Sequence, residues 1–173
     1  GLEVGSTKIV PMLETAVAIE NAYEIAASSA RIIAITIGGE DLTADMKVKR
    51  TKEGKELYWA RAKVALAASA AKVASLDTVF SDVNDDEGLR NDTITIKELG
   101  FDGKACINPR QIQIVHEVYT PSENEISAAK EIILAARKNE GGVVSLNGKM
   151  IDYPVVKRAE TTLQRAGIDP NSI

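Results

Sequence analysis

The sequence is short of cysteine, histidine and aromatic residues, and it has no long apolar run. A single cysteine, Cys106, among 173 residues excludes an intramolecular disulfide and points to a reducing, cytoplasmic setting. Within Ala105-Cys106-Ile107 it is expected to be a small buried hydrophobe. No stretch approaches the ~20 apolar residues that span a bilayer. Gly1 to Thr7 shows neither the charged nor the apolar region of a signal peptide. A basic excess is lacking too: the net charge is −4, whereas phosphate binding needs clustered Lys and Arg. Lys47, Lys49, Arg50 and Lys52 read as a local patch on a solvated loop. Aromatics make up 4% of the chain, too few with the lone Trp59 for a base-stacking platform. These absences argue against a nucleic-acid or membrane partner. The sole histidine, His116, sits in a helical pattern and reads as a surface or packing residue. No Cys/His metal cluster, P-loop, nucleophile elbow or dinucleotide fingerprint is present.

What is present is ordinary globular composition, 45% hydrophobic and 27% charged, with a regular alternation of patterns. Lys8 to Leu13 is a short apolar run ending at Glu14. A helical pattern follows, with Ala16, Ile19, Tyr23 and Ala26 on one face and Thr15 as its cap. Ile32 to Ile37 is a β-branched run closed by Gly38-Gly39, with Asp41 and Thr43 in the loop after it. Gly54 to Ala74 places Leu57, Ala60, Val64, Ala67 and Ala71 on one helical face. Asp77 to Val83 reads as a third strand, Asp86 to Leu99 as a helix and Ala105 to Ile107 as a fourth strand. Asn108-Pro109 supplies a cap and a first-turn proline for another helix. Four strand–helix units in succession imply a parallel sheet with helical crossovers, covered on both faces. From Ser122 the pattern changes. Ser122 and Glu125 form a capping box for a helix with Ile126, Ala129, Ile133 and Ala136 inward. Gly141-Gly142 breaks it, Asn147-Gly148 marks a hairpin, and Asp152-Tyr153-Pro154 opens a last helix.

In parallel α/β folds the functional groups lie at the carboxyl ends of strands. That rule selects Glu14, Glu40, Asp41, Asp82, Asn84 and Asn108. Glu14 and Asp41, from adjacent strand ends, suit a hard cation such as Mg²⁺, which takes one or two carboxylates and leaves room for water and substrate oxygens. Each acid can equally serve the helix that follows it. Gly38-Gly39 allows close backbone approach to an anion, or makes an ordinary tight turn. Asn108-Pro109-Arg110 offers a helix start with a positive charge, or a helix start alone.

Whole phrases are more specific than these spacings. Pro11-Met-Leu-Glu-Thr15, Gly38-Gly-Glu-Asp-Leu-Thr-Ala-Asp45, Arg50-Thr-Lys-Glu-Gly-Lys-Glu-Leu57 and Asp77-Thr-Val-Phe-Ser-Asp82 occur in order. Leu99-Gly-Phe-Asp-Gly-Lys104, Ile107-Asn-Pro-Arg-Gln-Ile112 and Val143-Val-Ser-Leu-Asn-Gly-Lys-Met-Ile-Asp152 continue the series. Together they resemble the citrate lyase β-subunit (citryl-CoA lyase) branch of the HpcH/HpaI aldolase superfamily. The resemblance implies a TIM (β/α)₈ barrel, here its last four βα units over residues 1–120. Residues 121–173 would be a C-terminal helical extension with a hairpin or lid. It implies Glu14 and Asp41 as Mg²⁺ ligands and Gly38, Gly39 and Glu40 as the loop around the substrate's keto-acid end. Asn108 and Pro109 would lie near the CoA or acyl-carrier-protein arm of the thioester. Asp152 would be the catalytic acid–base residue, reaching the site of a neighbouring subunit in a trimer or hexamer. Other citrate lyase subunits are further implied partners.

The implied reaction cleaves citryl-CoA or citryl-acyl carrier protein to oxaloacetate and an acetyl thioester. A relative of malyl-CoA lyase or malate synthase is the nearest enzymatic alternative, and a non-catalytic assembly subunit the alternative of another class. A whole barrel takes about 250 residues, so this chain by itself is expected to be inactive.

Overall fold

A computed structural model describes residues 1, 3–138, 144–146 and 148–173. The chain divides into two units, Gly1–Val118 and Tyr119–Ile173.

The first unit is built on β2 (Ala34–Ile37), whose four residues are all buried. A run of Ile-Thr-Ile packs well on a pleated surface covered from both sides. It pairs in parallel with β1 (Met12–Leu13) on one side and β3 (Ala74–Asp77) on the other, and β3 pairs with β4 (Gly103–Lys104). The sheet order is β1-β2-β3-β4, as the strand–helix alternation requires. Helices α1 (Ala16–Glu20), α2 (Ala22–Ala27), α3 (Gly39–Asp45), α4 (Tyr58–Ala71), α5 (Asp86–Glu98) and α6 (Pro109–Tyr119) follow or join the strands.

Several boundaries differ from the sequence-based expectation, each for a local reason. The first strand is only two residues, with an isolated bridge from Ile9 to Ile32 before it. Pro11 lies between them and has no N–H for the ladder, although its carbonyl accepts from the Thr36 N–H at 3.0 Å. The first helix is split at Asn21 (φ −101°, ψ 23°), so Ala22 faces the core and Tyr23 is half exposed. Helix α4 ends at Lys72, which adopts φ +61°, and Val73 N–H returns to the Ala68 carbonyl. That stop makes β3 begin at Ala74 rather than Asp77. Thr78 to Val83, β-branched and aromatic enough to read as strand, becomes the loop at its carboxyl end. The fourth strand likewise lies upstream of Ala105 to Ile107, and Cys106 is exposed rather than buried.

The second unit is a helical pair with a hairpin. Helix α7 (Glu123–Lys138) starts on the capping box: Ser122 N–H donates to Glu125 Oε2 at 2.8 Å, and Glu125 N–H donates to Ser122 Oγ at 3.3 Å. Helix α8 (Tyr153–Arg165) is capped by Asp152. Ala129 and Ile133 of α7 pack on Ala159 and Leu163 of α8. Strands β5 (Val144–Leu146) and β6 (Lys149–Ile151) pair antiparallel, with Leu146 opposite Lys149. Gly148 takes the positive φ (+74°) that this turn needs; Asn147, Gly141 and Gly142 lie outside the described residues. Among the described residues no helix is long and apolar enough to cross a membrane.

Candidate active site

Glu14 and Gly38 stand side by side because β1 and β2 end together, with Leu13 opposite Ile37. A side chain on Gly38 would meet Glu14: its Cβ would come to 2.7 Å from Glu14 Cβ and 2.9 Å from Glu14 Oε2. Gly38 has φ −91°, so glycine is needed here for space and not for backbone freedom. Its absent side chain lets the Glu14 carboxylate lie over the start of α3, and Asp41 sits in that helix's first turn. Asp41 is therefore helical, not in a loop as its Gly-Gly prefix suggested, because helix starts directly at Gly39. Glu14 is half-buried and Asp41 exposed.

Two ties hold α3 against its neighbours. Gly39 N–H donates to Thr78 Oγ1 at 3.0 Å, and Asp45 Oδ2 accepts from the Ala16 N–H at 2.7 Å. Gly38 N–H donates to the Leu13 carbonyl at 3.0 Å. Both glycine N–H groups are thus engaged inside the fold, and what Gly38 and Gly39 provide is closeness. The Glu40 side chain points to Arg50, 3.8 Å away.

Of the basic residues read as a solvated patch, Lys47, Lys49 and Lys52 are exposed, while Arg50 is half-buried and bonded within the loop from Arg50 to Leu57. Arg50 Nη1 donates to Glu56 Oε1 at 2.9 Å, and the same carboxylate accepts from Thr51 N–H at 2.9 Å and Thr51 Oγ1 at 2.7 Å. Burial alone raises the Glu56 pKa, but those hydrogen bonds outweigh it and hold it at about 2. Lys52 Nζ lies 2.6 Å from Asp82 and 3.3 Å from Asp85. Its hydrogen bond keeps Asp82 below the usual carboxylate range. Asn84 is exposed and donates its backbone N–H to Asp82 Oδ1 at 3.1 Å.

Asn108 and Pro109 open α6 as expected. Asn108 Oδ1 accepts from the Arg110 N–H at 3.0 Å. Buried Gln111 fixes this corner: its Oε1 accepts from Ile107 N–H at 3.0 Å, and its Nε2 donates to the Phe80 carbonyl at 2.9 Å. Asp152, in the second unit, accepts from the Val155 N–H through Oδ1 at 3.1 Å. His116 is exposed on α6. The Cys106 thiol is pushed up by the partial burial of its sulfur.

Among the described residues no group of three or more His, Cys, Asp or Glu is placed to hold a metal. Two carboxylates, Glu14 just after β1 and Asp41 in the first turn of α3, are nevertheless enough in number for Mg²⁺, which keeps several waters and takes substrate oxygens for the rest. Glu14 and Asp41 fit that donor set.

The model of the HpcH/HpaI aldolase/citrate lyase family matches residues 1–109. The chain belongs to this family. It is 46% identical over 169 residues to the citrate lyase subunit beta of Haemophilus influenzae, covering 96% of this chain and 58% of that protein. The crystal structure of CitE from Mycobacterium tuberculosis in complex with magnesium, acetoacetate and coenzyme A is similar, with a TM-score of 0.82 and 34% identity over 94% of this chain and 62% of that one. The citrate lyase beta subunit of M. tuberculosis complexed with oxaloacetate and magnesium has a TM-score of 0.62 and 32% identity, over 68% of this chain and 55% of that one. The chain thus spans a little over half the length of the curated relatives it matches.

The most heavily bonded side chains of the family segment are not among the residues expected at the site. Arg61 bridges Asp77 through Nε and Nη2, both at 2.9 Å, and Asp92 through Nη1 at 2.9 Å. Lys104 Nζ adds Asp77 at 2.7 Å and Asp92 at 2.5 Å. All four residues are buried. Burial lowers the Arg61 pKa and raises that of Asp92, yet the facing charges prevail and shift both the other way, so both stay ionised. One signal was available: Arg61 is four residues after Leu57 and three before Val64, on the apolar face of α4.

Proposed function

We propose that the chain carries the metal-binding and acid–base residues of a carbon–carbon lyase acting on citryl-CoA or citryl-acyl carrier protein. Oxaloacetate and an acetyl thioester are the products. The observation that carries this reading is Glu14 lying over Gly38, at the start of the helix that bears Asp41. Relatives bound to magnesium with oxaloacetate, or with acetoacetate and coenzyme A, support it. Glu14 and Asp41 would hold Mg²⁺, which supplies Lewis-acid stabilisation of oxygen charge as the carbon–carbon bond breaks. The Gly38-Gly39-Glu40 segment lies against the keto-acid end of the substrate, beside the Glu14 carboxylate that Gly38 allows to approach. Asn108 and Pro109 flank the CoA or acyl-carrier-protein arm. Asp152 moves the proton between its carboxylate and the methyl carbon of the acetyl thioester, and it does so in a neighbouring subunit of a trimer or hexamer.

The first unit, in this reading, is four βα units of a TIM barrel, and residues 121–173 are its helical extension with a hairpin lid. Among the described residues one side of β1 and one side of β4 are unpaired, whereas a (β/α)₈ barrel needs eight strands to close. The 173 residues alone therefore turn over no citryl thioester. The lone cysteine fits a cytoplasmic enzyme.

Titration of the chain with Mn²⁺ as a paramagnetic stand-in for Mg²⁺, with and without oxaloacetate, tests the site. One cation is expected, bound more tightly with oxaloacetate and lost in Glu14→Gln and Asp41→Asn. Binding indifferent to both substitutions would overturn the site. Citryl-CoA cleavage by the chain alone would overturn the incomplete-barrel reading.

A further inference from the structure

Thr78 makes two hydrogen bonds that face in different directions. Its carbonyl accepts from Lys104 Nζ at 2.9 Å, and its hydroxyl accepts from the Gly39 N–H at 3.0 Å. Lys104 is itself fixed by Asp77 and Asp92, which Arg61 grips from the other side. Thr78 is buried, and a Cβ on Gly39 would come to 2.8 Å from its Oγ1 and 3.0 Å from its Cγ2. The residue therefore packs on the first residue of α3 as well as bonding to it.

Helix α3 has seven residues, too few to hold a direction by its own hydrogen bonds. Its orientation must come from tertiary ties. Leu42 is in the core, Asp45 ties the far end to Ala16, and Thr78 ties the near end. Asp41 lies two residues beyond the Thr78 tie. We infer that Thr78 is a positioning residue: it transmits the rigidity of the buried Arg61–Asp77–Asp92–Lys104 cluster to the start of α3, and so sets Asp41 relative to Glu14. This rests on the reading of Glu14 and Asp41 as cation ligands.

Thr78→Val keeps the shape and removes the acceptor, while Thr78→Ser keeps the acceptor. Thr78→Ala carries the same expectation as Thr78→Val in a smaller side chain. Two measurements on the whole chain separate the possibilities: amide hydrogen exchange at Gly39 and Leu42, and Mn²⁺ affinity by water-proton relaxation. In Thr78→Val the Gly39 amide is expected to lose its slow exchange and the Mn²⁺ dissociation constant to rise roughly 10-fold, as for other residues that orient metal ligands, with Thr78→Ser restoring both. Mn²⁺ affinity that ignores Thr78 but falls in Glu14→Gln overturns the positioning role alone. Exchange that tracks Thr78 while no form of the chain binds Mn²⁺ overturns the cation reading, and the purpose of the anchor with it. Gly39 exchange unchanged in Thr78→Val overturns the anchor itself.

Discussion

Gly38 is the residue on which the geometry of the candidate site turns, and it does so by lacking a side chain. Gly38→Ala would place a methyl group 2.7 Å from Glu14 Cβ, an atom next to the backbone that cannot swing away. Overpacking of this kind costs about 1–3 kcal/mol. The variant is expected to melt at a lower temperature and to bind Mn²⁺ more weakly than the parent. Equal Mn²⁺ affinity would show that Glu14 need not lie where it does. Asp152 allows chemistry and stability to be separated. It caps α8, and asparagine caps a helix about as well as aspartate, while alanine costs roughly 0.5–2 kcal/mol. In a full-length family enzyme bearing this segment, Asp152→Asn should keep the melting temperature and lose turnover. Retained turnover would remove Asp152 from the proton transfer.

At the scale of elements, the Arg50–Leu57 loop makes a pH-dependent contribution. The Glu56 carboxyl sits at about 2 instead of 4.5, so the folded state holds its ionised form better than the unfolded chain does. That stabilisation is complete above 4.5 and is lost as the pH falls towards 2. Urea midpoints measured across this window should fall more steeply for the parent chain than for Glu56→Gln. Parallel curves would contradict the assignment. Element types were largely legible: the βα alternation, the capping box at Ser122 and the Asn108-Pro109 helix start all rest on side chains acting within a few residues. The boundaries were less so. Lys72 in a left-handed conformation ends α4 early, and Thr78-Val79-Phe80 keeps a strand-like composition because it packs as a buried loop. Local propensity does not distinguish those two uses of the same residues.

At the scale of the molecule, the first unit has a charged centre. Arg61 and Lys104 balance Asp77 and Asp92, with no unsatisfied buried side-chain polar atom among the described residues. Removing one partner leaves an uncompensated buried charge, which costs about 3–5 kcal/mol. Lys104→Met is expected to lower the unfolding free energy by that amount in denaturant titration; a loss no greater than at a surface lysine would show the cluster to be dispensable. In the second unit, Leu163 is fully buried. Leu163→Ala should cost roughly 2–5 kcal/mol, read as lost amide protection in α7 and α8.

Short-range chemistry and ordered phrases were enough to establish the family, the parallel α/β class and the candidate acids Glu14 and Asp41. Those features depend on hydrophobic period, caps and motif order, all of which are written along the chain. Only the tertiary structure decided how the acids are held. The Glu14–Gly38 contact follows from two strands ending in register, and the Thr78–Gly39 tie joins residues 39 apart in sequence. Asp77, Asp92 and Lys104 look like ordinary surface charges until the sheet and two helices close around them. A buried ion cluster is defined by what surrounds it, and along the chain only the place of Arg61 on the apolar face of α4 hints at it.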